Sequence, residues 1–345
     1  MPYSHLRNAH HVFEKFGDLH VIVPYYNPMR YQSRLTLLHE FIAKATGEGA
    51  KVHVVEVVLG ERPWEIKDLG QYDHLKLRTK HELWLKENSI NLCAARLPED
   101  AQYIAVIDGD VAFNNPHWVM ETIQQLQHFP IVQMWRECWD LDPSGETMRR
   151  FKSFAACALE DPDSNPAWSK KASSKSKDSA GYYHLGAYHA GVAQRGDRLY
   201  WHPGYAWAYT RDAWDALGGL LDINVVGGGD HQMANALYGK VEQAGIPFES
   251  TVGYRNAVLA WQEQAARLDR NIGFVPGSIA HYWHGKKSQR GYFDRWQILA
   301  RNQFDPVTDL RRDWQGLLQL AGNKPQLRDD LRAYFRSRQE DSIDM

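Results

Sequence analysis

The stretch Tyr103-Ile104-Ala105-Val106-Ile107-Asp108-Gly109-Asp110 passes directly from an apolar run into two carboxylates. A short apolar run with polar flanks is typical of a buried strand in a parallel sheet. In open α/β sheets ligands bind beyond the carboxyl ends of the strands, so both carboxylates are expected at such an edge. Because neighbouring carboxylates repel each other, they favour a divalent cation, which can also bind substrate phosphates. Asp-Gly-Asp alone would more often be a surface turn, but its position after a buried strand favours the cation site.

Strand and helix patterns alternate on both sides of this stretch. Strands are predicted at residues 19–24, 52–59 and 103–107, and helices at 31–44, 82–96, 211–217 and 231–237. The strand segments are short β-branched or apolar runs, whereas the helical segments carry apolar residues three and four apart. Such alternation predicts an α/β fold with a doubly wound, mostly parallel mixed sheet that is flanked by helices and forms a single catalytic unit.

The composition is that of an ordinary globular protein of 345 residues, with 43% hydrophobic and 24% charged residues. No apolar run approaches the roughly 20 residues that span a bilayer, and the N-terminal residues lack a basic segment followed by an apolar one. We therefore expect no membrane insertion and a cytoplasmic location. A net charge of −2 provides no general attraction to nucleic acid. The 13 Trp and 17 Tyr suit a sugar-binding cleft and a packed core equally well.

Several motifs along the chain resemble those of GT-A glycosyltransferases. Residues 21–27, Val-Ile-Val-Pro-Tyr-Tyr-Asn, resemble the opening strand of glycosyltransferase families 2 and 7, and Asp108-Gly109-Asp110 matches their Asp-X-Asp element. Residues 202–209 and 227–230 resemble the galactosyltransferase-type C-terminal region with its Gly-Gly-Glu-Asp signature. The resemblance covers roughly residues 19–284 and depends on the order and spacing of these motifs.

The resemblance implies a GT-A fold and a metal-dependent glycosyltransferase. Such an enzyme moves a hexose from a nucleoside-diphosphate sugar, here expected to be UDP-linked, to a hydroxyl acceptor. In the inverting members the position of Asp230 is that of the catalytic base, which takes the proton of the acceptor hydroxyl. Asp230 could instead only cap the helix that begins near His231, or it could bind the sugar in a retaining reaction.

The resemblance also implies a set of residues that bind the nucleotide sugar. They are Pro24, Tyr25, Tyr26, Asn27, Glu56, Lys86, Asn91, Asp108, Gly109, Gly228, Gly229 and Lys286. Some of them have a structural alternative. Glu56 could form a buried ion pair, and Lys86 and Asn91 could be exposed helix residues. The basic run 285–292 around Lys286 could be solvated.

One position departs from the family pattern. Gly229 stands where the signature has Glu, directly before Asp230. A sugar hydroxyl that this Glu would bind therefore needs another partner.

His281-Tyr282-Trp283-His284 resembles the Met/His-X-X-His element that completes metal coordination in the galactosyltransferases. The implied metal ligands are Asp110, His284, His281 and Asp108. Asp108 could instead reach the ribose or bind the cation through water, and His281 could instead be a packed histidine. Imidazole with carboxylate favours Mn²⁺, for which Mg²⁺ could substitute. Residues three apart on a regular strand face opposite sides, so both histidines can be ligands only if the backbone turns there.

The expected organisation is a catalytic domain over residues 1–310 and a helical tail over 311–345. Within the domain, 19–135 would bind the nucleotide sugar, 136–200 would form a loop-rich insertion or lid, and 201–300 would form the acceptor and catalytic half. Tyr205, Trp207 and Trp283 are candidates for a wall against the donor or acceptor sugar, although each of them taken alone would more often be a core residue.

The acceptor is the least determined part of the prediction; a glycan is one option. The segment 161–180 is poor in apolar residues and contains Lys170, Lys171, Lys175 and Lys177. It could approach an anionic polymer such as DNA with hydroxylated bases or a teichoic-type chain, or it could be only a soluble lid. The closing segment 281–295 is similar to glycosyltransferase-like proteins of viruses and bacteria, which leaves a nucleic-acid acceptor open. A viral protein of this kind would act in the host cytoplasm.

Two other classes of protein share part of this pattern. A nucleotidyltransferase that makes nucleotide sugars has the same α/β layout, but it would open with a glycine-rich, arginine-bearing phosphate loop, which residues 23–29 lack. A non-catalytic module that binds carbohydrate or nucleic acid would explain the aromatic and lysine residues. It would leave Asp108, Asp110, Asp230 and His284 without a common purpose.

Overall fold

The computed structural model describes residues 17–66, 72–160, 201–247, 249–285 and 294–343. Its strands are β1 (Leu19–Tyr26), β2 (Lys51–Leu59), β3 (Asp73–Thr79), β4 (Tyr103–Ile107), β5 (Val111–Phe113), β6 (Ile131–Gln133), β7 (Glu137–Leu141), β8 (Thr147–Ser153), β9 (Trp201–His202), β10 (Ala206–Thr210), β11 (Ile272–Phe274), β12 (Ser278–His281), β13 (Leu310–Arg312) and β14 (Leu318–Leu320). Its helices are α1 (Gln32–Gly47), α2 (Lys86–Ala94), α3 (Trp118–Leu126), α4 (Phe154–Glu160), α5 (Arg211–Leu217), α6 (Gly229–Leu237), α7 (Val241–Ala244), α8 (Val252–Ala266), α9 (Asp294–Arg301), α10 (Pro306–Asp309) and α11 (Pro325–Ser337). None of the helices within these ranges is long and apolar enough to cross a membrane.

Seven strands form the central sheet, in the order β11-β6-β10-β4-β1-β2-β3. β1 pairs in parallel with β2 and with β4, and the pairs β2–β3 and β6–β11 are parallel as well. β10 runs antiparallel between β4 and β6. The sheet is therefore mixed and mostly parallel, which confirms the predicted fold class.

Two apolar layers cover the opposite faces of this sheet. Alternate residues of β4 belong to different layers, because side chains of a strand point to opposite faces. Ile104 and Val106 pack in the layer that contains α2, α5 and α6, whereas Ala105 and Ile107 pack with α1 and α3. All four residues are at most 9% exposed. Since the strand is covered on both faces, the first polar side chain that can reach a cleft is that of Asp108.

A second sheet of five strands, in the order β5-β12-β7-β8-β9, adjoins this end of β4. β12 pairs antiparallel with β5, which places His281 opposite Val111, the residue after Asp110. The amide of Tyr282 then donates to the carbonyl of Asp110 over 2.9 Å. Strand pairing thus brings the motif at 281–284 beside Asp110, although the two are far apart in the sequence.

The predicted helices are present, but two of them begin two or more residues away from the predicted start. The helix predicted from residue 82 begins at Lys86, because Leu83 and Leu85 are buried and the amide of Trp84 donates to the carbonyl of Val225 over 3.0 Å. α6 begins at Gly229, two residues before the predicted start. Both shifts leave the first turn of a helix at the end of the sheet that carries Asp108.

The C-terminal residues return to this end of the sheet after α11. The carboxylate of Asp341 accepts hydrogen bonds from the amides of Gln32 and Ser33, over 2.9 and 3.0 Å, at the start of α1. The indole of Trp283 donates to the carbonyl of Ser342 over 2.7 Å. Residues 313–343 thus hold strand β14 and helix α11, followed by residues that contact the start of α1 and Trp283.

Candidate active site and metal centre

A cleft opens at the carboxyl ends of β1 and β4. The predicted site residues that line it are Pro24, Tyr25, Tyr26, Asn27, Lys86, Asp108, Gly109, Asp110, Tyr205, Gly228, Asp230, His281 and His284. Side chains that the sequence did not single out, including Arg34, Glu87, Arg295 and Arg338, also line it. Most of the predicted residues therefore meet at the sheet edge where ligands of α/β folds bind.

Asp110, His281 and His284 form a cluster of potential metal ligands in this cleft, with one ligand atom from each within 4.8 Å of the others. The Oδ2 atom of Asp110 is 3.5 Å from Nε2 of His284 and 4.0 Å from Nε2 of His281. The Oδ1 atom of Asp110 is buried and has no hydrogen-bond partner within the described part of the chain. A buried carboxylate oxygen without a partner is costly, and a divalent cation bound to this carboxylate between the three side chains would offset part of that cost. The residues present therefore fit a metal ion.

Asp140 holds the imidazole of His281 in the orientation that a ligand needs. Nδ1 of His281 lies 2.8 Å from Oδ1 of Asp140, and both side chains are buried. Because an ionised carboxylate only accepts, Nδ1 is the donor to Asp140, and Nε2 is the ring nitrogen that faces Asp110. Arg149 in turn holds Asp140, with 3.1 Å between Nε and Oδ2. Carboxylate–histidine pairs of this kind orient ligands in metal sites.

A change of backbone direction brings His284 to the same side as His281. A regular strand would put the two residues on opposite faces, but β12 ends at His281. Nδ1 of His284 lies 3.1 Å from the carbonyl oxygen of Tyr282, which can only accept, so Nε2 is the atom that faces Asp110. The condition for joint ligation by both histidines is therefore met.

We expect Asp140→Asn to weaken Mn²⁺ binding by about 10- to 100-fold, the usual cost of changing a residue that orients a metal ligand. The amide keeps the shape of the side chain but removes the charge that holds Nδ1 of His281 and pairs with Arg149. Calorimetric titration of the purified protein with Mn²⁺ measures the change. Asp142→Asn is the control, because Asp142 forms the turn of the same β7–β8 hairpin. An Asp140 variant that binds Mn²⁺ as tightly as the unchanged protein would exclude this role.

Asp108 forms an ion pair with Lys86, at the first turn of α2. Burial raises the pKa of Asp108, and the attraction of Lys86 opposes this shift. The amide of Asp108 donates to the carbonyl of Tyr205 over 2.8 Å. Asp108 is thus a neighbour of the three-residue cluster, and its role as a metal ligand or ribose contact stays a prediction.

Asp230 faces the cleft from the first turn of α6. The N-cap of this helix is Gly228, so Asp230 is not the capping residue. Its Oδ1 atom accepts from the adjacent amide of His231 over 2.9 Å. A Cβ atom at Gly204 would lie 2.7 Å from its Oδ2 atom. Gly204 therefore leaves the room that this carboxylate occupies, and the role of Asp230 as a base stays a prediction.

The two glycines at the N-terminal end of α6 are required by the backbone and by close packing. Gly227 and Gly228 have φ angles of 83° and 87°, which residues with a side chain rarely adopt. A Cβ atom at Gly228 would lie 2.5 Å from Cζ2 of Trp296. This turn directs the chain into α6 and so places Asp230 at the cleft.

Glu87 is a cleft residue that the sequence did not identify. It follows Lys86 in the first turn of α2 and is 5% exposed. Burial raises the pKa of Glu87 to about 7, and Lys86 acts in the opposite direction. Because the helix was expected to begin at residue 82, nothing marked position 87 as the start of a helix that faces a ligand.

Besides Gly229, two predicted nucleotide-sugar residues of the described part of the chain lie outside the cleft lining. Glu56 is fully buried in β2, where its carboxylate accepts from the amide of Glu65 over 2.6 Å and lies 2.9 Å from Nε2 of His74. The side-chain amide of Asn91 donates to the carbonyl of Leu220 and accepts from the amide of Leu220, over 2.8 Å in each case. The contacts of these two residues are with the protein interior. Lys286 and the lysine-rich segment 161–180 lie outside the described residues.

Of the three predicted aromatic wall residues, Tyr205 lines the cleft. Its ring stacks on that of His202, with centroids 4.3 Å apart, and packs against His281 at 4.5 Å. Its φ of 78° is strained for a residue with a side chain, and such strain is often found at functional sites. Trp207 is 7% exposed within the core, and the indole of Trp283 is bonded to the C-terminal segment.

Solved structures to which the chain is similar include proteins of the kind that the sequence motifs resemble. One is the catalytic domain of Drosophila β1,4-galactosyltransferase 7 in complex with xylobiose, at 10% identity and a TM-score of 0.37, with coverage of 90% of this chain and 98% of that one. Another is a putative nucleotide-diphospho-sugar transferase from Desulfovibrio desulfuricans, at 9% identity and a TM-score of 0.30, with coverage of 83% and 96%. No protein-family model and no curated protein matches the chain. Since both TM-scores are below 0.5, the functional assignment depends on the residues of the cleft.

Proposed function

We propose that this protein is a metal-dependent glycosyltransferase that moves a hexose from a UDP-linked donor to a hydroxyl acceptor, with inversion at the anomeric carbon. The observation that carries the proposal is the position of Asp110, His281 and His284 in the same cleft as Asp230. The reaction needs stabilisation of a leaving diphosphate and activation of a hydroxyl nucleophile. Ligands for a cation and a carboxylate at one sheet edge meet both needs.

The chemistry of the cluster supports Mn²⁺ as the cation, with Mg²⁺ as a substitute. Mg²⁺ prefers oxygen ligands and retains several waters, whereas two imidazoles with one carboxylate suit a transition metal. When bound, the ion supplies Lewis-acid stabilisation of the charge that develops on the diphosphate. Asp110, His281 and His284 would hold it.

Basic side chains around the cluster support an anionic ligand such as a diphosphate. Arg34, Lys86, Arg295 and Arg338 all line the cleft. Lys86 extends from α2 to Asp108, and Arg34 extends from α1, where it pairs with Glu340. Guanidinium groups bind phosphate oxygens through paired donors. The cleft lining thus contains groups that can bind a diphosphate, beside the carboxylates with which Arg34 and Lys86 are paired.

We assign to Asp230 the role of the base that activates the acceptor hydroxyl. Its carboxylate takes the proton of the acceptor hydroxyl while the hydroxyl oxygen attacks the anomeric carbon and the bond to the diphosphate breaks. Attack from the side opposite the leaving group inverts the configuration. The anomeric configuration of the product, determined by NMR, tests this assignment, because retention would indicate that Asp230 binds the sugar instead.

Calorimetry with the purified protein tests the proposed function. We expect UDP to bind in the presence of Mn²⁺ and to lose this binding after chelation with EDTA, because protein and diphosphate share the cation. GDP and ADP are expected to bind more weakly than UDP. A preference for UTP with a hexose 1-phosphate would indicate a nucleotidyltransferase. Absence of diphosphate binding with Mn²⁺ would contradict the proposal and fit a non-catalytic module.

A further inference from the structure

Gly229 has no conformational reason to be glycine. It is the first residue of α6, and its φ is not in the positive region that its two predecessors adopt. Glycine weakens a helix relative to alanine. Something other than backbone conformation therefore has to explain this residue.

The space beside Gly229 is filled by a side chain from another helix. A Cβ atom at position 229 would lie 2.8 Å from Oε1 of Glu87 and 3.0 Å from Nδ2 of Asn224. Both distances are shorter than an ordinary van der Waals contact. Asn224 cannot easily give way, because it is fully buried and its Oδ1 atom accepts from the hydroxyl of Tyr254 over 2.7 Å. The glycine therefore makes room for the carboxylate of Glu87.

The carboxylate of Glu87 is available to a ligand in the cleft. Glu87 is 5% exposed, and it lines the cleft together with Lys86 and Asp230. It interacts with its own backbone amide, and within the described part of the chain no hydrogen bond joins it to another side chain. Burying a carboxylate without a full set of partners is costly, so a hydrogen-bond donor in the cleft would offset part of this cost.

We propose that Glu87 binds a hydroxyl of the transferred hexose and thereby selects among donor sugars. This inference rests on the proposed function, in which the hexose is bonded to the diphosphate and lies between the metal-ligand cluster and Asp230. Lys86, which precedes Glu87, pairs with Asp108 beside that cluster, so Glu87 borders this part of the cleft. A carboxylate has two oxygens that accept hydrogen bonds from neighbouring hydroxyls. Glu87 thus provides from α2 the carboxylate that Gly229 lacks on α6.

The test compares the binding of UDP-hexoses with that of UDP, by calorimetry in the presence of Mn²⁺. UDP-glucose, UDP-galactose and UDP-N-acetylglucosamine are titrated into the unchanged protein, Glu87→Ala and Glu87→Gln. We expect at least one of the three to bind the unchanged protein more tightly than UDP. Glu87→Ala is expected to reduce that preference by about 10- to 100-fold, the size expected for a hydrogen bond to a charged group. Glu87→Gln should reduce it less, and UDP alone should bind all three proteins equally.

Two further variants separate sugar binding from a structural role in the helix. Glu121→Gln changes the acidic residue in the first turn of α3 and should alter neither affinity. The double variant Glu87→Ala with Gly229→Glu moves the carboxylate to α6. Glu87 then no longer fills the space beside position 229, but Nδ2 of Asn224, 3.0 Å from the new Cβ atom, still has to shift by a few tenths of an ångström. The double variant should recover part of the lost preference.

The outcomes distinguish this inference from the proposed function. Three results would each overturn the inference. Glu87→Ala could keep the full preference for the UDP-hexose, it could lose affinity for UDP and the UDP-hexoses equally, or no UDP-hexose could bind the unchanged protein more tightly than UDP. Each of these results leaves Mn²⁺-dependent binding of UDP to the unchanged protein in place. Failure of the unchanged protein to bind UDP would contradict the proposed function itself.

Discussion

Asp110→Asn is expected to weaken Mn²⁺ binding by more than about 100-fold. Substitution of a residue that only orients a metal ligand already lowers the metal affinity by about 10- to 100-fold. The Oδ1 atom of Asp110 is buried without a hydrogen-bond partner in the described ranges, and Oδ2 lies 3.5 Å from Nε2 of His284. Asparagine keeps the size of the side chain and removes its charge. Calorimetric titrations with Mn²⁺ alone, and then with UDP and Mn²⁺, measure the loss.

Asp108→Asn is the matched control for this change. Asp108 is only two positions away, but its carboxylate is paired with Lys86 and is not part of the three-residue cluster. We therefore expect a smaller loss of Mn²⁺ affinity than for Asp110→Asn. Thermal unfolding in EDTA should show that the Asp110 variant is as stable as the unchanged protein, since the cation is then absent from both. A greater loss in the Asp108 variant would contradict the assignment of Asp110.

Asp230→Asn is expected to reduce turnover by about 10²- to 10⁴-fold, the contribution of a general base, and to leave UDP binding unchanged. Asparagine cannot take the proton of the attacking hydroxyl, but it keeps the size of the side chain beside Gly204. Turnover is measured as UDP release from a UDP-hexose, with water or a hydroxyl acceptor found by screening. UDP affinity is measured by calorimetry on the same preparation.

Asp212→Asn is the matched control for Asp230. Asp212 is the second residue of α5, as Asp230 is the second residue of α6, but it is exposed and does not line the cleft. Both carboxylates interact with the positive end of a helix, which contributes about 0.3 to 1 kcal/mol to stability. If Asp230 acted only on its helix, the two variants would lose similar amounts of stability and neither would lose turnover.

Local pattern in the sequence was sufficient for several elements of the fold. The apolar run predicted a strand at Tyr103–Ile107, and β4 has these bounds. The helix Arg211–Leu217 also has its predicted bounds, and the side chain of Thr210 caps its first turn by accepting from the amide of Ala213. Apolar periodicity and capping residues are local properties, so they can be recognised without knowing what each element packs against.

Strand direction and helix starts depended on contacts between distant segments. β10 lies antiparallel among parallel strands, and an apolar run carries no information on direction. The helix predicted from residue 82 begins later, because the amide of Trp84 is bonded to Val225. Tertiary contacts override local propensity in such segments.

The site shows the same division. The sequence by itself determined that Asp110 follows a buried strand, and its motifs named His281 and His284 as candidate partners. Only the tertiary structure decided that both histidines face Asp110, because β12 pairs with β5 and ends at His281. Glu87 was not identified at all, since a glutamate in a helix has no distinctive sequence neighbours. Its position against Gly229 arises from the packing of α2 beside α6, and no local pattern encodes such a contact.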